Sequence, residues 1–130
     1  MKRFRAAFLA VLMMCGMPAA AQEIMDFNQT WVGPEDYYNS SGARLSDPCA
    51  IIRQERANFH RFGIRHPSDE SDSIFGDPTN RAAMDGRCRF RSSGGWVLDH
   101  FRGGDPVYIR VHIMGRGNRL THVEIMEGAG

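Results

Sequence analysis

The chain predicts an α+β fold: one main helix packed on a three-stranded antiparallel sheet that ends in a β-hairpin, with an extended N-terminal arm ahead of them. Three observations predict it. Apolar residues recur at helical spacing after Asp47-Pro48, apolar and polar residues alternate from Val107 to Met114 and again from Leu120 to Met126, and glycine pairs bracket the segment Trp96 to Phe101. With 130 residues, 42% hydrophobic and 24% charged, the composition is that of one ordinary domain. It excludes disordered, collagenous and multi-span membrane chains.

Residues 1–21 are set apart as a secretory signal. Lys2, Arg3 and Arg5 form a basic head, an apolar run follows from Ala6 to Met17, and Ala19-Ala20-Ala21 supplies the small residues of a cleavage site. The run is broken by Gly16 and Pro18, short of the roughly 20 apolar residues a membrane span needs. Met14 rather than a small residue precedes Cys15, so lipidation is not expected there and Cys15 leaves with the signal. Removing Lys2, Arg3 and Arg5 leaves 13 of 16 basic residues, all arginine, against 15 acidic ones, a net charge of about −2. A mildly acidic domain disfavours nonspecific nucleic-acid binding, and the mature chain has no transmembrane span. Export to the periplasm or medium makes Cys49 and Cys88 a disulfide pair, closing a loop worth roughly 4 kcal/mol in the chain-entropy model. A reactive thiol would want a Cys-x-x-Cys motif or a neighbouring base, and neither is apparent.

The mature elements follow in order. Residues 22–45, with Trp31, Tyr37 and Tyr38 among turn formers, read as an extended arm with at most a short edge strand, tied down by its aromatics. The α+β domain spans 46–130. Its main helix takes Ser46 or Asp47 as N-cap, Pro48 at the first position and Gly63 as a left-handed stop; Cys49, Ile52, Phe59 and Phe62 face the core, while Arg53, Glu55 and Arg56 face solvent. Residues 63–76 are loop, and Asp77-Pro78 caps a second, short helix to Met84. Trp96 to Phe101 is the first strand of a meander. The hairpin follows, either pairing Met114 with Asn118 or slipping to set His112 opposite His122; both keep Thr121, Val123 and Ile125 on the core face. Acidic and basic blocks alternate along the chain, the pattern of neighbouring solvated segments that pair internally.

Chemical candidates are few. His112 and His122, with Glu124, would begin a zinc site in the slipped register, but no histidine motif of metal-binding spacing supports it, and no cofactor fingerprint occurs. His100, Arg110, His112, His122 and Glu124 are polar groups able to share one sheet face. Small ribonucleases use such an imidazole, guanidinium and carboxylate set, so His100, Arg110 and Glu124 are the candidate catalytic residues of a secreted hydrolase.

From Phe75-Gly76-Asp77-Pro78 through Trp96-Val97-Leu98 to the turn at Gly115–Asn118, about the last 55 residues, the chain resembles the BamE-like (SmpA/OmlA) small envelope lipoproteins. The resemblance implies a helical segment before a three-stranded antiparallel sheet and an accessory or scaffolding role rather than catalysis. The chain departs from that pattern in its long arm and in lacking a cysteine placed for lipid attachment, so no functional residue is carried over. The leading expectation is an exported noncatalytic envelope domain that binds a protein partner through Trp31, Tyr37 and Tyr38, aromatics being common interface anchors. The alternative is the small hydrolase.

Overall fold

A computed structural model describes residues 16–17, 21–91 and 94–129. Most of the expected export signal, including Cys15, lies outside the described residues. The elements run β1 (Gln22–Val32), a 3-10 turn (Pro34–Tyr37), α1 (Pro48–Ala57), a π turn (Asn58–Phe62), α2 (Pro78–Ala83), β2 (Cys88–Phe90), α3 (Gly94–Gly103), β3 (Val107–Arg116) and β4 (Arg119–Glu127). The class is α+β, with one four-stranded mixed sheet in the order β1-β3-β4-β2; β2 runs parallel to β4 and the other pairs are antiparallel. No helix among the described residues is long and apolar enough to cross a membrane.

Local chemistry sets the helix ends as expected. Asp47 and Asp77 each accept a backbone N–H, from Cys49 and Thr79, and Pro48 and Pro78 occupy the first helical positions where no donor is needed. Gly63 closes the π turn at φ +67°, a left-handed conformation that glycine adopts without a Cβ penalty. The extra residue in that π turn breaks the helical phase: Cys49, Ile52 and Phe59 are buried, while Phe62 swings out and is half exposed. Residues 63–76 form no helix or strand. Cys49 and Cys88 form a disulfide at a Cα–Cα distance of 5.6 Å, tying α1 to β2.

Three expectations about the sheet and its connections are corrected. Trp96 to Phe101 is helix, not strand: α3 buries Val97 and Phe101, four residues apart, and turns Trp96 and His100 outward on the same i, i+4 spacing. The arm contains the 11-residue β1, which pairs with β3 along its length, so a four-stranded sheet replaces the three-stranded meander. The hairpin takes neither expected register; a two-residue Gly117-Asn118 turn joins Arg116 to Arg119, His112 faces Glu124, and Met114 faces His122. Thr121 is the bulged residue. It therefore leaves the core face to Leu120, which packs against the core beside buried Val123 and Ile125. Gly115 lies at that bulge, where a Cβ would come within 2.6 Å of the Arg119 carbonyl oxygen.

The helices cover one face of the sheet. Val107, Ile109, Val111 and Ile113 of β3 meet Ile51 and Ile52 of α1 and Val97 and Phe101 of α3 in a single core. A polar network lies beside it, overturning the expectation that Glu55 and Arg56 face solvent. Arg56 is fully buried and each of its five donor contacts is specific: Nε and Nη2 to Glu55 at 2.5 and 2.7 Å, Nη2 to Thr30 Oγ1, and Nη1 to Asp72 Oδ2 at 2.9 Å and to the Glu70 carbonyl. Asp72 also takes His60 Nε2 at 3.1 Å and the N–H groups of Ile74 and Phe75. Burial opposes charge on both groups. Glu55, and then Asp72, nonetheless raise the Arg56 pKa, while the Phe75 N–H, His60 and Arg56 hold the Asp72 carboxyl below the usual range. This pairing joins two of the charge blocks: Asp72, of the acidic stretch 69–77, folds onto Arg56 of the basic helix rather than into solvent. Asp69 and Glu70 instead cap the outer edge of β1, accepting from Trp31 N and Gln29 N and so blunting an exposed strand edge.

Asp36 behaves in the opposite way. Buried beside Glu55, its carboxyl is pushed up to about 7 by desolvation, against hydrogen bonds from Gly33 N and Asn58 Nδ2 at 2.8 Å. Below about pH 4 this carboxyl is protonated in both folded and unfolded chains. Between about pH 4 and 7 only the unfolded chain ionises, so Asp36 costs stability as pH rises, approaching about 1.4 kcal/mol per unit, and above that window the cost is constant. The stability of Asp36→Asn relative to wild type is expected to improve steadily from pH 5 to pH 7 in urea unfolding. A difference that stays flat with pH would remove this assignment.

Candidate functional site: the open face of the sheet

Residues paired across neighbouring strands share a face, which places the functional candidates. The face away from the helices carries Phe27, Gln29 and Trp31 from β1, opposite His112, Arg110 and Tyr108 of β3. On the other side of β3, Arg110 faces Met126, His112 faces Glu124 and Met114 faces His122, and Arg89 of β2 stands beside Glu124. This face has an apolar side and a charged side.

The apolar side follows β1. Ile24 and Phe27 are half exposed and Trp31 is 38% exposed, its ring 5.2 Å from that of Tyr108. The charged side centres on Glu124, which binds Arg91 at 2.8 Å and His122 Nε2 at 3.3 Å. Gln22 Nε2 lies 2.7 Å from His122 Nδ1, and the His122 ring is buried. Burial opposes ionisation of Glu124, but the His122 hydrogen bond and Arg91 hold it below the usual range. His112, across the strand from it, is lowered by burial and then by Arg110, which leaves a neutral imidazole at pH 7. Arg110 reaches Gln29 at 3.4 Å and leaves its buried Nε without a partner.

Of the five polar residues expected to share a face, Arg110, His112, His122 and Glu124 do. His100 does not: it is on α3, where Nδ1 donates to the Trp96 carbonyl at 2.9 Å. The candidate trio His100, Arg110 and Glu124 is thus split between helix and sheet. No group of three metal-ligating side chains occurs among the described residues, and His112 and His122 each face another residue rather than one another.

The three arm aromatics also separate. Tyr37 is a core residue whose hydroxyl donates to the Asp105 carbonyl at 2.6 Å; burial pushes its phenol up to about 12. Tyr38 is half exposed and lines a depression with Phe62 and Ile64. Only Trp31 lies on the open face. Sequence reasoning missed Phe27 and Tyr108 as its neighbours because β1 was not expected to pair along its whole length.

Fold and face together define an α+β domain whose mixed four-stranded sheet, among the described residues, is covered by helices on one side and open on the other. Compared with known proteins, the chain matches no family model, no curated protein and no solved structure.

Proposed function

We propose that this chain is an exported, noncatalytic domain of the cell envelope that binds a protein partner through the open face of its sheet. One observation carries the reading: Ile24, Phe27 and Trp31, exposed along one strand, form with Tyr108 an apolar band on a sheet face that no helix among the described residues covers. The basic head and small-residue cleavage site of residues 1–21 support export, as does the Cys49–Cys88 disulfide, which persists in oxidising compartments. The accessory role implied by the BamE-like resemblance points the same way.

A second reading is a small hydrolase, favoured by the grouping of Arg110, neutral His112 and ionised Glu124 on one face. One comparison separates the two. Envelope extract passed over the immobilised protein is expected to yield a specific partner that Phe27→Ala/Trp31→Ala loses and Tyr38→Ala keeps. Equal recovery by all three proteins removes the open face as the docking surface. Phosphodiester turnover that disappears in His112→Ala but survives Phe27→Ala/Trp31→Ala replaces binding with catalysis.

A further inference from the structure

The two tryptophans of this chain, Trp31 and Trp96, come from segments 65 positions apart and line one cleft of about 380 Å³ between the end of the sheet and α3. Tyr108, His100, Pro106 and Glu127 are among the other residues that line it. The aromatic rings are fixed in place. Trp31 packs on Tyr108, and the Tyr108 hydroxyl donates to the Ser68 carbonyl at 3.3 Å. Trp96 and His100, one helical turn apart, pack at a tilt of 51° with centroids 4.0 Å apart, held by the His100 Nδ1 hydrogen bond to the Trp96 carbonyl. Gly128 lets the chain pass close to Tyr108: a Cβ there would lie 2.6 Å from a ring carbon.

Among the described residues, the cleft walls carry one carboxylate, Glu127, and no arginine. Beyond them, Asp69 and Glu70 are held near Tyr108 by their bonds to β1, and after desolvation they are the main cause of its raised phenol pKa. Arg110 opposes them from the next position on the open face. Electron-rich ring faces, an acidic wall and a volume at the lower end of the small-ligand range make a cation the complementary guest.

We propose that this cleft binds an alkylated ammonium group, seated against Trp31, Trp96 and Tyr108 and paired with Glu127. The group belongs either to a free quaternary amine or to a choline lipid headgroup. Because Trp31 also belongs to the open face, Trp96 and Glu127 are the residues that isolate the cleft; neither contributes to the apolar band along β1.

Both tryptophans lie at the site, so intrinsic fluorescence of the intact protein reports occupancy directly. Titration with choline is expected to give a saturable change, with at least roughly tenfold weaker binding of its neutral isostere 3,3-dimethyl-1-butanol. Trp96→Ala is expected to abolish the response and Glu127→Gln to weaken it by roughly fivefold or more, while Phe27→Ala leaves it unchanged. Phosphatidylcholine vesicles that bind and are displaced by choline assign the lipid source; a choline response without vesicle binding assigns the free amine. Equal affinity for the neutral isostere, a response to simple saccharides without one to choline, or an unchanged choline response in Trp96→Ala overturns the proposal. Failure of Phe27→Ala/Trp31→Ala to lose a protein partner leaves the Trp96 and Glu127 results unaffected, so the two readings fail separately.

Discussion

Arg56→Leu is expected to destabilise the fold by about 3–5 kcal/mol, the range for removing one partner from a buried ion pair. Leucine keeps apolar bulk but is smaller than arginine, so a cavity adds to the electrostatic loss. Glu55 and Asp72, both buried, would each keep a charge or take up a proton without the guanidinium that now satisfies them, and Thr30 and the Glu70 carbonyl would each lose a donor. Urea unfolding at pH 7 measures the effect. Adding Glu55→Gln and Asp72→Asn to Arg56→Leu is expected to recover part of the loss, because part of the cost lies in stranded charge. A single variant within about 0.5 kcal/mol of wild type would mean that water reaches the site and screens it.

Loss of the Cys49–Cys88 bond is the second large effect. The bond spans 39 positions, for which chain entropy gives about 4 kcal/mol, a large share of the 5–15 kcal/mol that usually separates folded from unfolded domains. It also joins α1 to β2, a strand of three residues held along one edge by β4 alone. Cys49→Ser/Cys88→Ser is therefore expected to lower the unfolding midpoint sharply, with β2 amides losing hydrogen-exchange protection before those of β3. Wild type with and without reductant should differ by the same amount. Equal midpoints for the bridged and unbridged proteins would show that the unfolded chain gains nothing from release of the loop.

Much of this architecture is legible in the linear chain because it rests on local chemistry. Asp47-Pro48 and Asp77-Pro78 announce helix starts, Gly63 announces a stop, and the alternation in Val107–Ile113 follows directly from burial of one sheet face. Trp96 to Phe101 was harder for a physical reason. In six residues, period 2 and period 3.6 are nearly indistinguishable, and Trp, Val and Phe are good strand residues; what decides is that Val97 and Phe101 both reach the core. The strand β1 hid for a different reason. Its inward positions Asn28 and Thr30 are fully buried polar residues, so the expected apolar alternation is missing. They point inward because Arg56 and Asp72, distant in sequence, supply their partners.

The candidate site was legible in its residue types but not in its membership. Arg110, His112, His122 and Glu124 were recognisable as polar positions of alternating strands, and alternation alone brings them to one face. Which of them touch depended on register, and register depended on the Thr121 bulge, which no hydrophobic pattern encodes. His100 left the group once its segment proved helical. The aromatic cleft needed the whole molecule: Trp31 from the first strand, Trp96 from the third helix and Glu127 from the end of the last strand.

By itself, then, the sequence determined the α+β class, the helix caps, the cysteine pair and the two hairpin strands, since each depends on side chains within a few residues of one another or on simple counting. Tertiary structure decided the fourth strand, the inward turn of Arg56, the hairpin register and the meeting of the two tryptophans. Those depend on contacts between residues far apart in the chain, where the free energy of burying a charge or a ring is set by a partner that local sequence does not name.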